Sequence, residues 1–177
     1  MNTALIVIDV QKFFENRNTK PVIKKIQQYL KNKSDQYRAI YFTVFKNNPE
    51  APLWKISDWQ DCTDSPETDI CEEIKEFTNK NNLFYKNILS AYKVPEIKSV
   101  LKQNKVSQVD LCGFDTDCCV LATAYDLFDS GIKPVILGNL TWSISKDKLH
   151  QPALQMIARN IGFINSQIWN IKANWPY

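Results

Sequence analysis

An uninterrupted apolar run, Ala4 to Ile8, lies near the start of the chain. A strand of this composition is buried on both faces, as happens in a parallel sheet covered by helices on either side. Pro21 then opens a segment with apolar residues at helical spacing, and a second strand pattern follows at 39–45. Because the order is strand, helix, strand, the sequence predicts a right-handed crossover between two parallel strands.

The same alternation continues along the rest of the chain. Alternating strands and helices predict an α/β fold, a doubly wound and mainly parallel sheet with helices on both faces. We expect a single domain over residues 1–177, since no linker, repeat or low-complexity segment interrupts the pattern. The other predicted elements are strands at 83–85, from 109, at 134–137 and at 162–164, and helices from Ser65-Pro66, at 95–102 and at 147–160.

Composition limits the classes of function. Of the 177 residues, 44% are hydrophobic, which is ordinary for a globular domain with a sizeable core. The net charge of +3 is too small to predict binding to nucleic acid or membranes, and no run approaches transmembrane length. Five irregularly spaced cysteines predict neither a disulfide framework nor a zinc site. With no signal-peptide pattern, a reducing, cytoplasmic setting is expected.

The stretch from Val109 to Gly131 has the pattern of a strand, a tight turn and a helix. Its alternating apolar start breaks at Gly113, which marks the turn. Apolar residues then recur at helical spacing up to Phe128, and Gly131 stands where a C-cap glycine is expected. The sequence therefore predicts a strand that runs directly into the start of a helix.

Thr116 and Asp117 are the predicted N-caps of this helix, because short side-chain oxygens accept hydrogen bonds from the first-turn amides. Cys119 then falls in the first turn, where the helix N-terminus lowers a thiol pKa and unpaired amides can hold an oxyanion. One interpretation is a reactive nucleophile, and another is a small buried apolar residue. A redox pair with Cys118 is a third, disfavoured because neighbouring cysteines form strained disulfides.

Three residues with useful chemistry each follow a predicted strand: Asp9, Lys86 and Cys119. In an open parallel sheet, sites form beyond the carboxyl ends of the strands, where the strand order reverses. We expect the topology to bring all three into one crevice, with a carboxylate base and a lysine beside the thiol. Taken singly, a strand-end aspartate is more often a turn residue, and a lysine more often solvated surface.

These residues lie in three motifs that resemble those of the isochorismatase-like cysteine hydrolases. Residues 113–123, GFDTDCCVLAT, resemble the family's nucleophile motif, in which the cysteine follows a Thr-Asp-x triplet and so matches Cys119. Ile8–Gln11 resembles the DxQ opening, and Lys86 with Ser90–Tyr92 resembles the K…S-A-[FY] segment. The resemblance covers most of the chain, up to about residue 164.

The resemblance implies a six-stranded sheet in the order 3-2-1-4-5-6 and a catalytic triad of Asp9, Lys86 and Cys119. It implies acyl transfer through a thioester, with Asp9 moving the proton. The oxyanion hole is expected at the backbone N–H groups of Asp115 and Cys119, after a cis peptide bond between Phe114 and Asp115. The expected substrate is a small amide or carbamoyl compound, cleaved at its C–N bond.

The family also implies a homo-oligomer, a dimer or tetramer. The aromatic and polar tail over residues 168–177 is predicted to pack on the body or on a second subunit. A small-molecule substrate is the only other expected partner.

The chain departs from the nicotinamidases of this family, which bind a divalent metal through an Asp-x-His motif and a further histidine. The corresponding loop here has Asp58 and Trp59 but no histidine, and the only histidine, His150, lies elsewhere. Zinc and iron prefer imidazole nitrogen, so no metal and no other cofactor is predicted. We interpret His150 as structural.

The substrate pocket is predicted from residues near the triad. Its walls suggest a small, partly apolar or planar substrate, although aromatic residues are more often core, and Trp54 and Trp59 could simply pin the long loop 46–64. Ether hydrolysis of the isochorismatase type and a catalytically silent binding protein are the alternative functions. The predicted pocket residues are Gln11, Phe13, Phe14, Trp59 and Tyr92.

Overall fold

The computed structural model describes residues 2–145, 147–162 and 164–165, and it has a parallel sheet flanked by helices. The predicted α/β class is therefore confirmed. The main strands pair in the order β3-β2-β1-β4-β5. The predicted sixth strand is reduced to two described residues, β6 (Ile164–Asn165), paired with β5. The main strands are β1 (Thr3–Ile8), β2 (Ala39–Phe45), β3 (Leu83–Lys86), β4 (Gln108–Gly113) and β5 (Lys133–Thr141).

Helices cover both faces of this sheet. On one face lie α1 (Lys20–Lys33) and the single-turn α3 (Glu72–Lys75). The other face carries α4 (Pro95–Gln103), α5 (Leu121–Asp129) and α6 (Asp147–Asn160). β1 is fully buried and contributes alternate side chains to the two apolar clusters, which is why its sequence is apolar without interruption.

The strand order reverses between β1 and β4, and Gly113 allows their carboxyl ends to meet. Gly113 pairs with Ile8 and has a φ of 108°. A Cβ at this position would lie 2.0 Å from the Ile8 carbonyl oxygen, so only glycine fits. The segments that leave β1 and β4 therefore start side by side, at the switch point of the sheet.

Two local predictions are wrong. The Ser65-Pro66 peptide bond is cis and no helix starts there, because the chain turns again before the short α3. The residues before α5 form a π-helical turn, Thr116–Val120, without a side-chain cap. Thr116 does not cap the helix because its hydroxyl bonds Thr141 and His150 instead. Asp117 makes no capping bond either.

Other expectations about this region are confirmed or extended. Gly131 has a φ of 77° and donates its N–H to the Phe128 carbonyl at 2.9 Å, which ends α5 as predicted. The Phe128 side chain, however, is exposed. The long loop after β2 contains a short helix, α2 (Pro52–Ser57). The tail over residues 168–177 and Phe163 of the last predicted strand lie outside the described residues.

None of the helices within the described ranges is long and apolar enough to span a membrane.

Candidate active site

Asp9, Lys86 and Cys119 come together at the carboxyl edge of the sheet. The Lys86 Nζ lies 2.7 Å from Asp9 Oδ2 and 3.3 Å from Cys119 Sγ. The Asp9 and Lys86 side chains are completely buried, and Cys119 is only 4% exposed. The topology thus places the three predicted residues in one cluster, as the strand-end positions indicated.

The Asp9 carboxylate is fixed by its backbone and by a threonine of β2. Asp9 has a φ of 51°, which turns the chain sharply after β1. Its backbone N–H donates to the Thr43 carbonyl at 3.1 Å, and the Thr43 hydroxyl donates to Asp9 Oδ1 at 2.7 Å. Oδ2 forms the ion pair with Lys86 at 2.7 Å and has no other polar partner within the described residues. That oxygen therefore keeps a lone pair able to accept a proton.

Lys86 is a buried cation whose surroundings hold it charged. Burial acts to lower the pKa of the ammonium group, but the neighbouring Asp9 carboxylate and Cys119 sulfur outweigh it and raise the pKa. The group also donates to the Ile88 carbonyl at 3.1 Å and lies 4.9 Å from the centre of the Phe45 ring. All of these contacts favour a positive charge next to the thiol.

The Cys119 thiol lies beside a second thiol, that of Cys118. The hydrogen bond with Cys118 and the burial of the sulfur raise the pKa of Cys119, and the charge of Lys86 partly opposes that rise. The raised pKa favours the thiol over the thiolate, contrary to the lowering expected from a helix N-terminus. A thiol needs a base before it can act as a nucleophile, and Asp9 is the carboxylate of the cluster.

The backbone around Cys119 is held by contacts to neighbouring elements. The Thr123 hydroxyl donates to the Cys119 carbonyl at 2.7 Å and accepts from the Ala91 N–H at 2.9 Å. The peptide bond between Phe114 and Asp115 is cis, as the resemblance implied. The Asp115 N–H has no hydrogen-bond acceptor among the described residues, so it is available to a ligand.

A pocket of about 210 Å³ opens beside Cys119. A cavity of about 150 Å³ is enough to bind benzene, so this pocket is the size of a small planar molecule. Three of the predicted wall residues, Phe13, Phe14 and Trp59, do line it, and Trp59 packs edge-on against Phe13. The other lining residues are Phe45, Leu53, Leu89, Asp115, Cys118, Cys119 and Ile144.

The prediction of Gln11 and Tyr92 as pocket walls is wrong. Gln11 is fully buried, where it donates to the Phe45 carbonyl at 2.9 Å and accepts from the Phe45 N–H at 2.8 Å. It therefore ties the loop after β1 to the end of β2. Tyr92 packs against the apolar cluster on the face of the sheet that carries α4, α5 and α6. The Lys98 Nζ lies 5.2 Å from its ring centre.

Sequence reasoning missed two residues that matter to the site. Thr43 holds Asp9, and its signal was a polar residue inside an otherwise apolar strand. The Asp115 side chain lines the pocket, whereas only its backbone had been assigned a role. Nothing in the sequence shows which way this side chain points, because that depends on the turn between β4 and α5.

The family model for the isochorismatase domain matches residues 3–167. The chain belongs to the isochorismatase family. It is 21% identical over 166 residues to nicotinamidase 3 from Arabidopsis thaliana, covering 91% of this chain and 83% of the relative. These matches place it among the hydrolases of that family.

Solved structures of the family share the fold at low sequence identity. N-carbamoylsarcosine amidase from Thermoplasma acidophilum superposes with a TM-score of 0.78 at 16% identity, over 93% of this chain and 96% of the other. Nicotinamidase from Bacillus subtilis has a TM-score of 0.75 at 21% identity, over 94% and 100%. Both likenesses support the fold and leave the substrate open.

The nicotinamidases bind a metal through an Asp-x-His motif and a further histidine, and the described residues of this chain do not form an equivalent set of ligands. Asp58 is exposed at the end of α2, with its Oδ1 accepting from Gln60 at 2.8 Å. His150 is buried against Trp142, with ring centres 4.5 Å apart, and its Nδ1 lies 2.9 Å from the Thr116 hydroxyl. The described residues contain no group of three or more His, Cys, Asp and Glu placed to hold a metal ion. The side chains present do not fit that metal.

Proposed function

We propose that this isochorismatase-family hydrolase cleaves the C–N bond of a small amide or carbamoyl compound, with Cys119 as nucleophile. The observation that carries the proposal is the buried triangle in which Lys86 contacts both Asp9 and Cys119, at 2.7 and 3.3 Å. A charged pair excluded from water is costly, and a buried cation in contact with a thiol that lines a small pocket is a candidate functional group.

The first step is acylation of the thiol. Asp9 accepts the Cys119 proton, while Lys86 stabilises the thiolate that results. The sulfur attacks the substrate carbonyl carbon, and the oxyanion accepts hydrogen bonds from the backbone N–H groups of Asp115 and Cys119. Asp9 then gives its proton to the leaving nitrogen as the C–N bond breaks, which leaves a thioester and a free amine or ammonia.

The second step releases the acid. Water enters the position vacated by the amine, and Asp9 accepts one of its protons as the water oxygen attacks the thioester carbonyl. The C–S bond breaks, and the proton returns to the Cys119 sulfur. One amide and one water become one acid and one amine, and the triad is restored. Each step uses only groups of this chain, so no metal is assigned a role.

Ether hydrolysis is the runner-up, because it occurs in the same family on the same fold. A cysteine that lines the pocket beside a base and a cation favours acyl transfer, since cleavage of a vinyl ether needs no sulfur nucleophile. We therefore rank C–N hydrolysis first. The silent-protein alternative is disfavoured by the same triangle, because replacing a buried ion pair by apolar residues is often neutral or stabilising, so stability alone does not account for the pair.

The test is an ammonia-release screen of small amides and carbamoyl compounds with wild type and Cys119→Ala. We expect at least one turned-over substrate, and a loss of kcat of about 10³-fold or more in the variant. Cys112→Ala is the matched control, because Cys112 is buried in β4 outside the pocket. Ammonia release that survives Cys119→Ala would contradict the thioester mechanism, and a screen in which no compound releases ammonia would favour ether-type chemistry.

The cellular setting and the assembly remain predictions. All five cysteines are unpaired, which suits a reducing, cytoplasmic compartment. A homo-oligomer is proposed from the family resemblance alone, and light scattering after gel filtration would test it.

A further inference from the structure

Asp115 brings an ionisable carboxyl group to an otherwise apolar pocket. Among the described residues that line the pocket, it is the only carboxylate, and the rest are aromatic, aliphatic or cysteine. The residue is only 9% exposed. The mechanism above uses only the Asp115 backbone, and it leaves this carboxyl group without a role.

One carboxyl oxygen is engaged and the other is available. Oδ1 accepts a hydrogen bond from the Ile144 N–H at 2.9 Å, which orients the group. Oδ2 makes no hydrogen bond within the described part of the chain, yet it is not among the oxygens sealed from solvent. An oriented carboxyl group with one open oxygen on a pocket wall is arranged to bind a donor.

The charges around the pocket leave the Asp115 carboxylate uncompensated. Asp9 and Lys86 neutralise each other at 2.7 Å, and the lining supplies no cation. Burial, together with the negative charges of Asp117 and Asp9, raises the pKa of Asp115 to about 7, although the Ile144 N–H opposes that rise. A bound cation would supply the missing countercharge and favour the ionised form.

We propose that Asp115 selects the substrate: its carboxylate binds a positively charged or N–H-donating group on the amide. The aromatic walls suit the same ligand, because a cation is attracted to the ring faces of residues such as Phe13, Phe45 and Trp59. The pocket then accepts small amides that carry a basic nitrogen and rejects those that carry a carboxylate. The inference rests on the proposed function where it concerns amides; the charge selection itself does not.

Alkylation of Cys119 tests the charge selection without knowledge of the substrate. The probes are (2-bromoethyl)trimethylammonium, iodoacetamide and iodoacetate, which are positive, neutral and negative. Rates are measured by peptide mass spectrometry in a Cys118→Ser background, so that only one thiol in the pocket reacts. The readout is the ratio of the cationic to the anionic rate, in which the reactivity of the thiol itself cancels.

Asp115→Asn is the informative variant, because its amide oxygen can still accept from the Ile144 N–H. We expect the rate ratio to fall about tenfold or more at pH 8, the effect of one close charge in a partly desolvated site. Asp117→Asn is the matched control: it removes a carboxylate two residues away that does not line the pocket. There the ratio should change less than about twofold.

A pH series keeps the proposal testable should Asp115→Asn fold poorly. In wild type the ratio should rise between about pH 6 and 8, as Asp115 ionises. The other ionisable groups around it are Asp9 after β1, Lys86 from β3, His150 from α6, which contacts Thr116, and Asp117 and the thiols from its own turn. The Asp117→Asn series shows how much of the change comes from Asp117, which has no ion pair within the described residues. A flat wild-type ratio, or equal changes in both variants, would overturn the proposal.

Matched amides then link the inference to the reaction. Propionamide, 3-aminopropanamide and succinamate share a scissile group and differ in charge. Asp115→Asn should raise KM for the cationic amide more than it raises KM for the neutral one. If none of the three is hydrolysed while the alkylation ratio behaves as expected, the proposed amidase function weakens and the charge selection stands.

Discussion

Two lysines lie side by side at the carboxyl edge of the sheet, and only one of them is in the site. The Lys46 N–H donates to the Lys86 carbonyl at 2.8 Å, so their backbones are directly bonded. Each ammonium group has an acidic partner, Asp64 at 3.1 Å for Lys46 and Asp9 at 2.7 Å for Lys86. The side chains of the first pair are 47% and 77% exposed, whereas those of the second are fully buried.

The comparison shows that environment, and not ion-pair geometry, separates a lysine that contacts a buried thiol from a lysine of the surface. Water screens the ion pair of Lys46 and Asp64, so the pair contributes only about 0–1 kcal/mol to the free energy of unfolding. The ion pair of Lys86 and Asp9 has lost its hydration, so each charge is stabilised only by the other and by nearby dipoles. Only in that setting does a lysine lie close enough to a thiol, and far enough from water, to influence its reactivity.

The largest expected difference between the two lysines is in activity. Lys86→Met removes the cation that stabilises the Cys119 thiolate, and we expect kcat/KM to fall about 10²- to 10³-fold. Lys46→Met should change it less than about twofold, since its charge is exposed. Steady-state ammonia release on the best substrate of the screen measures both. Equal losses of kcat/KM in the two variants would contradict the distinction between the two lysines.

Stability should separate the lysines as well. Lys86→Met leaves Asp9 as a buried, uncompensated charge, and the free energy of unfolding should fall by about 3–5 kcal/mol. The double variant Asp9→Asn with Lys86→Met should regain part of that loss, because neither charge is then unpaired. Urea denaturation followed by circular dichroism gives these values. A double variant as unstable as the two single losses combined would argue that the pair is not coupled.

The same comparison can be made between two carboxyl groups: Asp115 is buried, whereas Asp64 is exposed. The folded protein raises the pKa of Asp115 to about 7, so between about pH 4 and 7 it holds a proton that the unfolded chain releases. Relative to Asp115→Asn, wild type should therefore lose about 2–4 kcal/mol of unfolding free energy as the pH rises through this window. Asp64→Asn, at an exposed position, is the matched control. Parallel pH profiles for wild type and Asp115→Asn would contradict the assignment.

The smallest effect is the salt dependence of the surface pair. Raising the salt concentration from 0.05 to about 1 M shortens the screening length to about 3 Å and should remove the contribution of Lys46 and Asp64. The stability difference between wild type and Lys46→Met should shrink by about 0.5 kcal/mol or less. The difference for Lys86→Met should persist, because ions do not enter its site. Thermal denaturation at the two salt concentrations checks this.

The fold could be predicted from the sequence because its signals are local and repeated. The apolar run of β1 and the helical spacing of α1 indicated a covered parallel sheet directly. The helix predicted from Ser65-Pro66 failed because a proline that suits a helix start also suits a cis turn, and the surrounding chain decides between them. The missing N-cap has a similar cause: Thr116 found partners on β5 and α6, which are distant in sequence.

The sequence could predict which residues lie at the ends of strands, but not which of them are buried in the site. Lys46 and Lys86 both come at the end of a strand, and the motif around Lys86 was the only feature that favoured it. Burial, which distinguishes them, depends on the Phe45 ring and on loops that close over the edge. The Asp115 side chain was missed for the same reason, and Gln11 was misplaced because a polar residue after a strand can serve the backbone instead of a ligand.

The most direct test of the central claim, that Asp9 and Lys86 activate Cys119, is the rate of iodoacetamide labelling of each cysteine across pH. Peptide mass spectrometry on a Cys118→Ser background would compare Asp9→Asn with Asp110→Asn, a control in β4 away from the pocket. Cys119 should label far faster than Cys62, Cys71 and Cys112, and of the two variants only Asp9→Asn should change the pH profile of its rate, by about tenfold or more at neutral pH. If Cys119 labels at the same rate in both variants, Asp9 does not activate it and the account is wrong.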